Sequence, residues 1–246
     1  MSKFMKESPS ISVFSTYSLD TITDKDGRVL KVQPGGPLLF LEKALTLVGA
    51  DYNVFHGNTV NIAIRLNDQG ETGKITKLPK TTPIHPISSD SIIISTVFKE
   101  WGLNNIKRMT SNKFFIDIQG YIRDEKVVGK KNFFNEIKGL SKNIYCLKGT
   151  REEISYLPKS VFDDQKKRLL IITDGENGIE YYSQGKKHLE SVDEMIRSSD
   201  TIGAGDSFFG YFVGLMSQGI FLEKAIKIAM QKTAIFLEQK NQPTQN

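Results

Sequence analysis

The chain has 246 residues, 39% apolar and 25% charged, with 20 glycines, 8 prolines and a formal net charge of +5. That balance excludes collagen-like, low-complexity and bulk-disordered classes, and a chain this long buries enough surface to fold without staples. The one cysteine, Cys146, excludes an intrachain disulfide and a cysteine-based zinc site. No apolar run reaches the ~18 residues of a membrane span, and residues 1–10 lack a signal-peptide core, so a cytoplasmic protein with no membrane partner is expected. The basic surplus is interspersed with acids. Its densest cluster, Lys166-Lys167-Arg168, follows Asp163-Asp164, a pattern that suits a small anionic ligand better than a nucleic acid.

Along the chain, Ile11 to Phe14 is β-prone. A hairpin is expected near 22–34, turning through Asp26 and Gly27. Pro34-Gly35-Gly36-Pro37 breaks the chain before a helical stripe from Leu38 to Val48, which Gly49 should stop. Tyr52 to Phe55 fits a short strand, and the alternation Ile62, Ile64, Leu66 opens a second hairpin near 61–78. Ile92–Ile94, Phe114–Ile118, Ile144–Leu147 and Leu169–Ile172 are dense apolar runs, as in strands covered on both faces of a parallel sheet. The chain ends in two helical patterns separated by Gly219. Together these predict a single α/β domain over residues 1–246, doubly wound, with two hairpins set apart to cover something, a ligand cleft being one candidate.

The segment richest in chemistry is Asp200-Thr201-Ile202-Gly203-Ala204-Gly205-Asp206-Ser207-Phe208. Small residues before a strong helix let backbone amides converge, and the helix N-terminus adds partial positive charge. Asp206 would stand beside any anion held there, a costly placement unless it serves as a base for phosphoryl transfer. Helix capping explains the same residues equally well on physics alone.

This segment closely resembles the D-T-x-G-A-G-D-x-F signature of the ribokinase/PfkB family of sugar and nucleoside kinases. The resemblance runs from about residue 11 to residue 236. Tyr17-Ser18-Leu19-Asp20 resembles the family's strand-end Asp segment, and Gly35-Gly36 its N-terminal G-G motif. Lys148-Gly149-Thr150-Arg151-Glu152-Glu153 resembles K-P-N-x-x-E, and Thr173-Asp174-Gly175-Glu176-Asn177-Gly178 resembles T-x-G-x-x-G. The resemblance implies a ribokinase-like, mostly parallel sheet with helices on both faces and a small β-hairpin lid. It implies Asp206 as catalytic base, Gly203, Ala204 and Gly205 as anion hole, and Thr173, Gly175 and Gly178 against the nucleotide. Asp20, Gly35, Gly36, Gln119 and Arg123 would bind substrate, the last two by likeness to D-P-N-x-R. Glu153 would organise Mg²⁺ through water, and Asp200 would order a monovalent-cation loop.

The implied activity is transfer of the γ-phosphoryl group of ATP to a hydroxyl of a small sugar or polyol, with an inositol-like acceptor suggested by D-x-Q-G. A homodimer through the lid is implied as well. Two positions depart from the family: Thr150 and Phe40 stand where it usually has Asn. These departures keep a nucleoside kinase, with Phe40 on a base, and a non-catalytic sugar- or nucleotide-binding relative as alternatives. Trp101 is expected in the core rather than against a ligand, and Cys146 is expected as a core thiol.

Overall fold

The computed structural model describes residues 10–67, 70–109, 112–124, 130–191 and 201–241. In chain order, strand β1 (Ile11–Ser15) is followed by β2 (Ser18–Thr23), β3 (Val29–Gly35), helix α1 (Pro37–Leu47) and β4 (Tyr52–His56). Then come β5 (Val60–Asn67), β6 (Gly70–Ile75), the two-residue β7 (Thr82–Pro83), β8 (Ser91–Ile94), β9 (Trp101–Gly102), β10 (Lys113–Asp117) and the short α2 (Gln119–Ile122). The C-terminal half holds β11 (Ile144–Thr150), α3 (Arg151–Ile154), α4 (Lys159–Lys166), β12 (Leu169–Thr173), β13 (Ile179–Ser183), β14 (Lys186–Glu190), α5 (Ala204–Ser217) and α6 (Leu222–Asn241).

An eight-stranded sheet forms the body, in the order β14-β13-β12-β11-β10-β8-β1-β4. The six strands from β12 to β4 are parallel, and β13 and β14 add an antiparallel edge. The four apolar runs are those central strands, and Ile92, Ile93 and Ile94 are all fully buried because both faces of the sheet are covered. One face packs Ile11, Val13, Ile93 and Phe115 against α1, α5 and α6. The other packs Ile92, Ile94, Phe114 and Leu170 under α2, α3, α4 and short 3₁₀ turns. Connections on this second face hold less regular helix than spacing alone suggested. Cys146 lies in the first of these layers, and Trp101 in the second, edge-on to Phe14 with its Nε1–H donating to the carbonyl of Ser15 at 3.2 Å.

The two hairpins form one separate sheet, β3-β2-β5-β6, because β2 and β5 pair in parallel from Ser18↔Val60 to Thr23↔Arg65. The first hairpin begins at Ser18, four residues before the sequence suggests, and the second ends at Ile75 rather than 78. Asp20 therefore lies in the middle of the first lid strand, not at the end of a core strand. The reason is an inverted pattern. Ser18 and Asp20 are the buried positions of β2, while Leu19 between them is 42% exposed. At these three positions the polar residues turn inward and the apolar one outward, opposite to the alternation of an ordinary half-buried strand.

Candidate active site

Helix α5 begins at Ala204. Its N-cap, Gly203, has φ +81°, a left-handed conformation that glycine adopts without strain. A Cβ at Gly203 would also collide with the ring of Phe40. Phe40 is thereby a packing residue. It lies under the start of α5 and meets Phe236 of α6 edge-on at 5.9 Å. Gly203, Ala204 and Gly205 stand at the helix start, where the sequence reading expects an anion cradle, and the Ala204 amide donates to the Thr201 carbonyl at 3.1 Å.

Beneath the cradle is a residue that sequence reasoning did not assign. Lys148 reaches from the middle of β11, is 4% exposed, and pairs its Nζ with Asp117 Oδ2 at 2.6 Å. A Cβ at Gly205 would stand 2.9 Å from that Nζ, so glycine gives the ammonium room directly under the helix start. Asp117 is fixed in turn: its Oδ1 accepts the Gln119 amide at 3.0 Å at the start of α2. A charged residue inside the apolar run Ile144–Leu147 and Gly149 was the available signal.

Asp206 projects from the first turn of α5, half-buried, and its Oδ1 accepts the Ser95 hydroxyl at 3.3 Å just past β8. Burial pushes its carboxyl up to about 6. Lys148, Ser95 and Arg123 pull the other way, and Asp117 adds to the rise. Burial alone would lower Lys148, but the carboxylates of Asp117, Asp206 and Glu153 hold it above the ordinary lysine value.

On the lid side, Asp20 is buried and its Oδ1 accepts the Ser18 hydroxyl at 2.6 Å. Its Oδ2 occupies the space that a Cβ at Gly35 would need, and a Cβ at Gly36 would collide with the backbone of Thr16 and Ser18. Both glycines are thus set by the close approach of β3 and α1 to β2. Burial raises the Asp20 carboxyl, with Ser18 and Arg123 opposing. Arg123 donates to the Val97 carbonyl at 2.8 Å, and its charge acts on Asp20, Glu100 and Asp206 together. Glu100, also missed from sequence, holds that turn by accepting the amides of Val97 (3.1 Å) and Phe98 (2.9 Å). The structure thus joins Asp20, Arg123 and Asp206 electrostatically, and Gln119 starts α2 beside Asp117.

The remaining predicted residues stand apart along the C-terminal strand ends. Thr173 closes β12, its Oγ1 donating to the Gly149 carbonyl at 3.5 Å. Gly175 begins a 3₁₀ turn with φ +53°. Gly178 has φ +88°, and a Cβ there would strike the Glu190 carbonyl, so the β13–β14 pairing itself demands this glycine. Thr150 and Glu153 form a reciprocal cap on α3: Glu153 Oε2 accepts the Thr150 amide at 2.8 Å, and Thr150 Oγ1 accepts the Glu153 amide at 3.2 Å. Threonine thus keeps the capping function at the family's Asn position. Asp200 lies outside the described residues. Among the described residues no three His, Cys, Asp or Glu side chains cluster to hold a metal.

The pfkB family carbohydrate kinase model matches residues 115–244, more than half of the chain. Over 104 residues the chain is 35% identical to Probable fructokinase-5 of Arabidopsis thaliana, covering 37% of this chain and 31% of that one, so the matched stretch spans about a third of the relative's length. The fold superimposes on a pyrophosphate-dependent kinase of the ribokinase family complexed with a pyrophosphate analog and myo-inositol (TM-score 0.73, 16% identity, 93% of this chain and 95% of that one). It also superimposes on the nucleoside kinase of Methanocaldococcus jannaschii, an archaeal member of the ribokinase family (TM-score 0.74, 14% identity, 94% and 92%). With the ribokinase-like sheet, the detached hairpin lid and the Gly-Ala-Gly-Asp helix start in place, the family match is decisive: the chain belongs to the pfkB family of carbohydrate kinases.

Proposed function

We propose that this chain transfers the γ-phosphoryl group of ATP to a hydroxyl of a small sugar or polyol held beneath the lid. The observation that carries the reading is the position of Asp206, in the first turn of α5 beside the Gly203–Gly205 amides and within the field of Arg123, which also acts on Asp20. Asp20, oriented by Ser18, accepts hydrogen bonds from acceptor hydroxyls, and Arg123 and Gln119 complete that side. Asp206 takes the proton of the attacking hydroxyl as the new O–P bond forms and the bond to the leaving diphosphate breaks. The amides at the start of α5 stabilise charge on the transferring group. Thr173 and Gly175 line the donor side. Mg²⁺, when bound with the donor, supplies charge neutralisation on its phosphates, and Glu153 orients its water. Asp200 is the residue we assign to a monovalent-cation loop. Closure of the lid excludes water as a competing acceptor.

A sugar or polyol is favoured over a nucleoside because the Phe40 ring is committed to Gly203 and Phe236 and does not offer a stacking face for a base. The test is a panel of sugars, inositols and nucleosides with Mg²⁺, each with ATP or pyrophosphate as donor. Acceptor-dependent ADP release with a sugar or polyol supports the reading. Donor consumption only with pyrophosphate corrects the donor, and no acceptor-dependent consumption by a folded protein overturns the enzyme.

We further propose that two copies associate through the lid. The outer surface carries Leu19 on β2 and Val29, Leu30 and Val32 on the edge strand β3, each more than 40% exposed. Apolar residues along a free strand edge invite cover by another chain. Light scattering on the purified chain tests this: a dimer that dissociates when Val32 is changed to Lys supports it, and a monomer at micromolar concentration refutes it.

A further inference from the structure

Asp206 poses an electrostatic problem. A carboxylate that must be ionised to act as a base sits beside a cradle built for an anion, and a phosphoryl group arriving there raises the cost of its charge. The counter-charge is underneath. Lys148 Nζ is buried 2.9 Å from the Cβ position of Gly205, and Asp117 holds it there at 2.6 Å. Asp117 is itself pinned by the Gln119 amide, so the ammonium is fixed from below rather than free to swing.

Resting on the kinase reading, we propose that the buried Asp117–Lys148 pair is a positioning and charge-balancing element for the base: Lys148 keeps Asp206 ionised beside the transferring phosphoryl group, and Asp117 holds Lys148 in place and limits how far it acts. The groups facing Asp206 are Lys148 from β11, Asp117 from β10, Arg123 from the end of α2 and the neutral Ser95 hydroxyl after β8. Of these named groups Lys148 and Arg123 are the cations. Arg123 is shared with Asp20 and Glu100, and Lys148 with Asp117 and Glu153, but Lys148 is the one that lies against the start of α5 at Gly205 and so carries more of the balance at the base. Asp117 adds negative charge at the same point, so removing one partner or the other should move the base in opposite directions.

The 246-residue chain and three variants test this: Lys148→Met, Asp117→Asn and the double variant, which removes both charges of the pair. The readout is the acidic limb of kcat/KM against pH. Lys148→Met and the double variant should shift the limb upward by about one pH unit, and Asp117→Asn should shift it downward. A uniform loss of activity at every pH with the limb unmoved would mean that Lys148 only packs, and overturns the proposal. A second readout needs no turnover. The stability difference between Asp206→Asn and its parent, followed against pH, should reach its plateau at a higher pH in the Lys148→Met or double-variant background than in the native one. If that plateau does not move, the inference fails even for an active wild-type enzyme. If it moves while no acceptor is ever phosphorylated, the pairing stands and the kinase reading falls.

Discussion

Asp20 and Gly35 share one space: the Asp20 Oδ2 lies where the first side-chain carbon of any other residue at 35 would be built. The two are diagonal neighbours across the β2–β3 hairpin, where Gly35 pairs with Ser18 and Asp20 with Gln33. The family's G-G motif is therefore not only a backbone bend here. It opens the place occupied by the Asp20 carboxylate, the group proposed to bind the acceptor. Gly35→Ala should push Asp20 out of its bond with Ser18, raising KM for the acceptor at least about 10-fold while donor KM changes little, since the lost interaction is one good hydrogen-bonding group. Steady-state kinetics with each substrate varied in turn checks it. Equal changes in both KM values would show a general distortion instead.

Asp206→Asn should fold and bind acceptor but lose about 10²–10⁴-fold in kcat, the range expected when a positioned proton acceptor is removed. The same variant carries a stability signature. The folded carboxyl titrates near 6 against 3.8 for an unperturbed group, so between those values the folded state binds more protons than the unfolded state. Stability then falls as pH rises through that window, and the asparagine variant escapes the cost. It should be more stable than the parent above pH 6 by about 1–3 kcal/mol, with the difference vanishing below about pH 4. Denaturant titrations at pH 4, 5, 6 and 7.5 read this directly. For the native enzyme the same ionisation makes kcat/KM climb through about pH 6.

The Thr150–Glu153 reciprocal cap predicts an ordering of three proteins. Thr150→Ala loses the side-chain acceptor for the Glu153 amide and should cost about 1 kcal/mol, whereas Thr150→Asn retains a capping oxygen and should stay close to the parent. The Glu153 carboxylate is held by the backbone amide of residue 150, which both variants keep, so the apparent affinity for Mg²⁺ should stay close to the parent's in both. Denaturant titration orders the three proteins, and a metal titration of initial rates checks the second point.

Gly203 and Phe40 should show strong coupling. Gly203→Ala places a methyl against the Phe40 ring at a left-handed φ, and should reduce kcat through displacement of the cradle. Phe40→Leu makes room but leaves the backbone strain, so the double variant should recover part of the loss and no more. A double-mutant cycle on kcat measures the coupling. Additive losses would show that the ring does not support the cradle.

Much of this architecture was legible in the chain itself. Ile92–Ile94, Phe114–Ile118, Ile144–Leu147 and Leu169–Ile172 are apolar without alternation, and a strand covered on both faces requires that pattern. The start of α5 was legible because a left-handed N-cap and a close approach both select glycine. The lid boundaries were not, because Ser18 and Asp20 turn polar groups inward toward a cleft. The antiparallel β13–β14 edge was also not read, since Ile179–Ser183 and Lys186–Glu190 carry mixed patterns typical of a partly exposed edge.

The sequence by itself determined the central parallel strands, the helix start and the family, because each depends on local patterning or on residues adjacent in the chain. Tertiary structure alone decided that Lys148 lies under Gly205, that the charge of Arg123 reaches Asp20 and Asp206 together, and that the Phe40 ring packs against Gly203. Those relationships join side chains tens of residues apart, and electrostatic interaction depends on distance in space, which separation along the chain does not encode.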